Sequence, residues 1–185
     1  MSPEDVTPPP HAVVLEPYDP QWPVLAAQQT LRLRQALGAN LILVEHFGST
    51  AVPGLAAKPV IDLMLLVADQ AALDRDRPTI EALGFEWYGE FGIPGRRFCT
   101  FTDADGVRRI HLHGYAANSP QVGRHLIFRD YLRTHPHEAR AYEREKRRAA
   151  ALHPRDSLAY HDEKDAWVSA CEARALVWRA DRPGN

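Results

Sequence analysis

One carboxylate interrupts the most apolar segment of the chain. Asp62 lies within residues 60–67, which are otherwise apolar and read VIDLMLLV. An ionised carboxylate inside such a strand costs free energy unless a cation or hydrogen-bond donors compensate for its lost hydration. This cost favours a functional role for Asp62, as a catalytic or metal-binding acid, over an incidental one. Lys58 comes four residues earlier and either serves the same site or is an exposed loop lysine.

The loop before this segment has the composition of an anion-binding turn. Gly48, Ser49 and Thr50 follow an apolar strand pattern and lie within residues 46–55. Glycine lets the backbone approach a ligand closely, and free N–H groups in such a turn can hold phosphate oxygens. Neither G-x-x-x-x-G-K-[ST] nor G-x-G-x-x-G is present, so an ordinary turn-rich loop remains the alternative.

Two further pairs of residues have types that suit a phosphate or metal site. His111 and His113 alternate along a predicted strand, so both imidazoles point to the same face. They can bind a metal or contact phosphate, or they are hydrogen-bonded strand residues. Arg96 and Arg97 follow Gly92-Ile-Pro-Gly95 and either contact a phosphate, which Arg binds in a bidentate manner, or lie in a solvated turn.

Turn and cap signals predict the elements that position these residues. Apolar strands are expected at residues 41–47 and 59–67, both in the interior of a sheet and covered on both faces. A short strand is expected at 85–89 and a hairpin from 97–102 and 107–113. Helices are predicted from Asp19-Pro20 to Gly38, at 71–83, from 119 to before Pro136, at 136–152 and at about 157–179. This order predicts an α/β or α+β fold, a mixed sheet covered by helices with a helical C-terminal third.

Length and composition restrict the class of protein. The 185 residues predict a flexible arm at 1–12 and one domain at 13–182. The longest apolar stretches are far shorter than the ~20 residues of a membrane span, and the proline-rich start does not resemble a secretory signal. Cys99 and Cys171 lack metal or disulfide spacing. We therefore expect a cytoplasmic protein without a membrane partner.

Charge argues against a nucleic-acid-binding surface. The net charge is -2, although residues 124–155 carry nine Lys/Arg against four acids. That local excess either faces a phosphate-bearing ligand or is a solvated helix face. With no recognised nucleic-acid-binding module, nucleic acid is an unlikely partner.

Several longer motifs together are similar to one known family. They are YDPQW at 18–22, EHFGSTAVPGL at 45–55, AKPVID at 57–62, GIPGRRF at 92–98, HLH at 111–113 and FRDYL at 128–132. On these motifs the chain resembles the GrpB family from about residue 14 to about residue 177. The resemblance implies the nucleotidyltransferase fold of the DNA polymerase beta type. Related domains occur fused to dephospho-CoA kinase, which implies a link to the coenzyme A pathway.

The resemblance also implies roles for individual residues. Gly48 and Ser49 would contact nucleotide phosphates, and Asp62 would be the first metal-binding acid. The second acid of the superfamily falls at Met64, so this chain departs from the pattern there. The third acid corresponds to His111 or His113, which favours Mn²⁺ or Zn²⁺ over Mg²⁺. The arginines, among them Arg96, Arg97 and Arg129, would orient the ligand.

These observations leave two leading hypotheses. The first is a nucleotide-binding, metal-dependent nucleotidyltransferase that acts on a small acceptor, and the second is a non-catalytic sensor or partner module of the same fold. A histidine-triad hydrolase is disfavoured because the third alternating position is Tyr115. Under the first hypothesis, one cleft contains Gly48, Ser49, Lys58, Asp62 and Arg96 or Arg97, and both histidines face it.

Overall fold

The computed structural model describes residues 10–182 and consists of one five-stranded sheet with helices on both faces. The helices are α1 (Gln21–Leu37), α2 (Gln70–Arg75), α3 (Arg77–Ala82), α4 (Pro120–Thr134), α5 (Pro136–Leu152) and α6 (Ser157–Ala180). The strands are β1 (Leu41–Phe47), β2 (Ile61–Val67), β3 (Phe85–Trp87), β4 (Arg97–Thr102) and β5 (Arg108–Ala116). The predicted fold class, a mixed sheet covered by helices with a helical C-terminal third, is confirmed.

The sheet has the order β1-β2-β5-β4-β3. Strands β2 and β5 are parallel neighbours, and the other adjacent pairs are antiparallel. In the parallel pair, Asp62 lies opposite His111 and Met64 lies opposite His113. Residues far apart in the sequence therefore meet at the centre of the sheet.

The two faces of the sheet have separate cores. On one face, Leu63 and Leu112 pack in a cluster with Leu33 of α1. On the opposite face, Met64 and Tyr115 pack with Val122 of α4. We call this second face, which carries Asp62, the site face. A further apolar cluster joins α4, α5 and α6, so these helices form a layer beside the site face.

Two predictions about individual elements are wrong. Strand β1 is an edge strand rather than an interior one, with Ile42 exposed by 51% and Leu43 by 36%. The apolar sequence of β1 suggested an interior strand, but periodicity does not show which strands will be its neighbours in the sheet. The single helix expected at 71–83 is two short helices separated at Asp76. Pro78 accounts for the break, because its ring and missing N–H are tolerated only in the first turn of a helix.

The helix ends follow the predicted signals more closely. The Asp19 side chain accepts a hydrogen bond of 2.8 Å from the Gln21 N–H, so it caps α1 as expected. Helices α4 and α5 meet at His135-Pro136.

The predicted N-terminal arm covers residues 1–12. Residues 1–9 of this arm lie outside the part of the chain that the structure describes. Within the described part, the His11 N–H donates to Ser157 Oγ at 3.2 Å. Among residues 10–182, no helix is long and apolar enough to span a membrane.

The edge position of β1 predicts that two Leu→Ala substitutions lower the free energy of unfolding by different amounts. Leu63 is fully buried in β2, so Leu63→Ala should lower the free energy of unfolding by about 2–5 kcal/mol through lost apolar contact and a cavity. Leu43→Ala, on the exposed side of β1, should cost less than about 1 kcal/mol. Urea denaturation measures both. Similar losses would contradict the edge assignment.

Candidate functional site

The site is built around Asp62 on the site face. His111 Nδ1 lies 3.1 Å from Asp62 Oδ1, and His113 Nε2 lies 3.7 Å from the same oxygen. One ligand atom from each of the three residues lies within 4.8 Å of the other two. The parallel pairing of β2 and β5, together with alternation along β5, brings the three side chains together.

The electrostatics of this cluster keep the acid charged and one imidazole neutral. Burial opposes the charge of Asp62, but its hydrogen bond with His111 and the proximity of both imidazoles hold its pKa below the usual value. Burial also lowers the pKa of His113 to about 4. His113 is therefore neutral near pH 7, which is the form that binds a metal.

The ligand atoms of Asp62, His111 and His113 suit a metal ion. Neither ring nitrogen of His113 has a hydrogen-bond partner among the described residues, although both are buried. One carboxylate and two imidazoles suit a single ion such as Zn²⁺ or Mn²⁺ better than a pair of Mg²⁺ ions, which need several anionic oxygens. The fully buried Met64 supplies no such oxygen. The residues therefore fit one divalent ion softer than Mg²⁺.

Gly48 lets the loop after β1 pack directly on the Asp62 carboxylate. Its φ is 71°, and a Cβ atom at this position would lie 2.3 Å from Asp62 Oδ2. Ser49 begins a short 3-10 turn at the same place. Thr50 is buried, with its hydroxyl 2.9 Å from His46 Nε2 and 3.4 Å from the Val60 carbonyl, to which it donates. Thr50 thus holds the loop in place.

A cleft of about 110 Å³ opens over this cluster, between the sheet and the C-terminal helices. We call it the lysine cleft. The sheet side contributes Gly48, Ser49, Lys58, Val60, Asp62 and His111, and the helices contribute Tyr142, Lys146, Tyr160, His161 and Lys164. The only three lysines in the chain, at positions 58, 146 and 164, all line it.

The lysines are held against aromatic rings. Lys58 Nζ lies 5.2 Å and Lys164 Nζ lies 5.5 Å from the centre of the Tyr160 ring. Lys146 is exposed by only 2%, donates to the Ala56 carbonyl and lies 4.9 Å from the Tyr142 ring centre. Such cation–π contacts orient an ammonium group without neutralising its charge.

Burial makes two of these ammonium groups unusually acidic. It lowers the pKa of Lys146 to about 7 and that of Lys58 to about 8, although Asp62 raises the latter. Asp62 is the only acid among the described residues that line the cleft. The cleft is thus a confined cationic site in which an anionic ligand would relieve the repulsion between the lysines.

The three predicted arginines do not line the lysine cleft. Arg97 lies on the opposite face of the sheet and pairs with Asp74, with Nη2 at 2.8 Å from Oδ2. Arg129 donates to Glu45 Oε2 at 2.7 Å and to the His46 carbonyl at 2.9 Å, so it supports β1. Arg96 donates to carbonyls of the loop before β4. By contrast, Gly48, Ser49, Lys58, Asp62 and His111 all line the cleft, and His113 lies next to Asp62.

The helical contributions to the cleft were missed by the sequence reasoning. Of the nine Lys/Arg residues in the segment at 124–155, only Lys146 lines the cleft, whereas Arg147 and Arg148 pair with acids at the protein surface. Charge counting could not distinguish these roles. The scarcity of lysine was the available signal, because only three of the 22 Lys/Arg residues are lysine.

Fold and site define an α/β protein with a cationic cleft over an Asp–His–His cluster. The family model described as GrpB protein matches residues 12–174. The chain belongs to the GrpB family.

Known relatives agree with this assignment. The UPF0157 protein YqkA of Bacillus subtilis is 36% identical over 165 residues, which cover 89% of this chain and 48% of YqkA. The crystal structure of conserved protein GrpB from Enterococcus faecalis matches with a TM-score of 0.84 and 36% identity, covering 90% of this chain and 99% of that one. A dephospho-CoA kinase of Mycolicibacterium paratuberculosis is 32% identical over 197 residues, covering 93% of this chain and 48% of the relative. The chain thus spans about half the length of YqkA and of the relative named as a kinase.

The close approach of Gly48 to Asp62 predicts a selective loss of metal binding. Gly48→Ala should push the carboxylate aside and weaken the binding of Zn²⁺ or Mn²⁺, measured by titration calorimetry. Gly54→Ala is the matched control, because Gly54 also has a positive φ, of 79°, but a Cβ there meets nothing within 4 Å. Both variants should lose stability from backbone strain at a positive φ, and Gly48→Ala should lose more because its Cβ also meets the carboxylate. Equal metal affinities in the two variants would count against a metal site at Asp62.

Proposed function

We propose that this protein binds a nucleoside triphosphate in the lysine cleft and transfers its nucleotidyl group to a small acceptor. The observation that carries this proposal is the convergence of all three lysines on the cleft over Asp62. An ammonium group is a compact point charge that suits phosphate oxygens. Three of them offset much of the negative charge of a triphosphate, and the resemblance to nucleotidyltransferases agrees with that ligand.

Different residues of the cleft would bind different parts of the nucleotide and the metal ion. Gly48 and Ser49 offer backbone N–H groups to the phosphates, and the lysines bind the β- and γ-phosphates that become the leaving group. Asp62, His111 and His113 would hold one divalent ion, whose chemistry is to neutralise charge on the reacting phosphate. Positioning and charge stabilisation supply most of the catalysis in phosphoryl transfer, so these roles suffice for a nucleotidyltransferase.

Met64 supports a second candidate function. It is fully buried at the position where the superfamily has its second acid. A site with one carboxylate binds a nucleotide without the full charge needed for two-metal transfer, which suits a non-catalytic sensor or partner module. Metal-dependent release of pyrophosphate distinguishes the enzyme from the sensor.

The similarity to a relative named dephospho-CoA kinase supports a role near coenzyme A. The matched region covers 48% of that relative, so the activity in its name is not carried over to this chain. We propose coenzyme A precursors as acceptors to be included in any activity screen.

The first test of this function is a thermal-shift screen of the wild type and Asp62→Asn. Nucleoside triphosphates should raise the melting temperature of the wild type in the presence of Mn²⁺ or Zn²⁺, because a ligand that binds only the folded state stabilises it. Asp62→Asn keeps the shape and removes the charge, so it should fold and lose the metal-dependent part of the shift. A variant that binds metal and nucleotide as the wild type does would show that Asp62 is structural.

The lowered pKa values of Lys58 and Lys146 predict that the protein takes up protons when it binds a nucleotide. A triphosphate favours the charged form of Lys58 and Lys146, whose pKa values in the free protein are about 8 and about 7. Affinity should therefore fall as pH rises from 6 to 9, because more of each lysine is neutral before binding. Calorimetry at pH 7.5 in buffers of different ionisation enthalpy measures the uptake.

Substitution of one lysine tests the same point. Lys146→Met should weaken triphosphate binding at least about tenfold, the loss expected for a charge-assisted contact, and should reduce the proton uptake. Arg144→Met is the control, since Arg144 is exposed on the same helix. Unchanged affinity in Lys146→Met, with folding verified by urea denaturation, would rule out phosphate binding by Lys146.

A further inference from the structure

A second pocket lies beside Asp62, on the side away from Ser49. Its volume is about 70 Å³, and it shares His111 and His161 with the lysine cleft. Phe91, Phe98, Arg108 and His11 complete most of its wall. We call it the aromatic pocket. The proposed binding of the triphosphate makes no use of it.

The order of the strands places the aromatic pocket beside the lysine cleft, towards β5 and β4. Across the site face, Ser49 follows β1, Asp62 is on β2, His111 is on β5 and Phe98 is on β4. Asp62 lines the lysine cleft and His111 lines both pockets, so the two pockets meet at this pair of residues. In nucleotidyl transfer the attacking and leaving oxygens are roughly in line on opposite sides of the phosphorus. With the leaving phosphates on Lys146 and Lys164, an acceptor in the aromatic pocket would approach the phosphorus from the side of β5 and β4.

The aromatic wall is held in an uncommon backbone conformation. Phe91 stacks on Phe98 with ring centres 5.2 Å apart and planes 16° apart. The φ of Phe91 is +43°, which is rare for a bulky residue and strains the backbone. Arg96 is a positioning residue for this loop, because it donates to the carbonyls of Glu90, at 3.1 Å, and of Phe91. Its guanidinium also lies 4.8 Å from the Phe98 ring centre.

A β-bulge aims one arginine at the pocket. Phe101 pairs with Ile110, but Thr102 pairs with Arg108, so Arg109 is an extra residue in β5. The bulge turns Arg108 to the site face, where its Nε donates to Thr102 Oγ1 at 3.1 Å. Among the described residues that line the aromatic pocket, none is acidic. Two phenyl rings and a guanidinium therefore favour a flat, anionic ligand.

We propose that the aromatic pocket binds the acceptor, and that the acceptor is a small molecule with a flat ring and a carboxylate or phosphate group. This inference rests on the proposed nucleotidyl transfer. An anionic oxygen of the acceptor attacks the α-phosphorus of the triphosphate and forms a new O–P bond. The bond from the α-phosphorus to the oxygen shared with the β-phosphate breaks, and pyrophosphate leaves with its electron pair. Because the attacking oxygen is already anionic, no proton has to be removed from it.

The test uses phenyl phosphate as the probe and calorimetry on the full chain. The titration is made with and without the α,β-methylene analogue of ATP, which cannot release pyrophosphate. The wild type should bind phenyl phosphate more tightly than inorganic phosphate, whether or not the analogue is present. Arg108→Met should weaken phenyl phosphate binding about tenfold and leave the affinity for the analogue unchanged. Arg109→Met is the matched control, because Arg109 pairs with Asp103 and does not line the aromatic pocket.

The outcomes separate this inference from the proposed function. Competition between phenyl phosphate and the analogue would overturn the acceptor assignment, because both would then occupy one site. Equal effects of Arg108→Met and Arg109→Met, or no binding of phenyl phosphate while the analogue binds, would overturn it as well. If no nucleoside triphosphate binds to the wild type, the proposed function itself fails, and the acceptor assignment fails with it.

Discussion

The buried charge of Asp62 is the constraint on which the rest of the site depends. A carboxylate in the middle of a sheet is tolerated only with partners, and β5 supplies two imidazoles because it is the parallel neighbour of β2. The position of the carboxylate also explains why the loop after β1 needs Gly48, since any side chain there would meet it. Strand pairing and the loop conformation together provide the surroundings that this acid requires.

Lysine and arginine have different tasks in this protein. Two arginines near the site form fixed pairs, Arg129 with Glu45 and Arg97 with Asp74. A planar guanidinium satisfies carboxylates and carbonyls in a fixed geometry, which suits support of the framework. The lysines contact rings and one carbonyl, and their charges are left for a ligand. The absence of lysine elsewhere in the chain fits this separation.

The sheet alone provides only half of a binding site. The cluster of Asp62 and the two histidines lies on β2 and β5, whereas Lys146 and Lys164 come from α5 and α6. Helix α4 packs on the site face and joins α5 and α6 through a shared apolar cluster. The stability of that helical packing therefore bears directly on the geometry of the cleft, even though its apolar residues touch no ligand.

Features that depend on local geometry could be predicted from the amino-acid sequence alone. These are the α/β class, the shared face of His111 and His113, the cap of α1 at Asp19 and the special place of Asp62, because alternation, capping and the cost of a buried charge act over a few residues. Only the tertiary structure decided that β1 is an edge strand, that the lysines converge and that Arg97 faces away from the cleft. These features depend on which distant segments become neighbours in the folded chain. The packing of the whole chain selects those neighbours, and the periodicity of one segment carries no information about them.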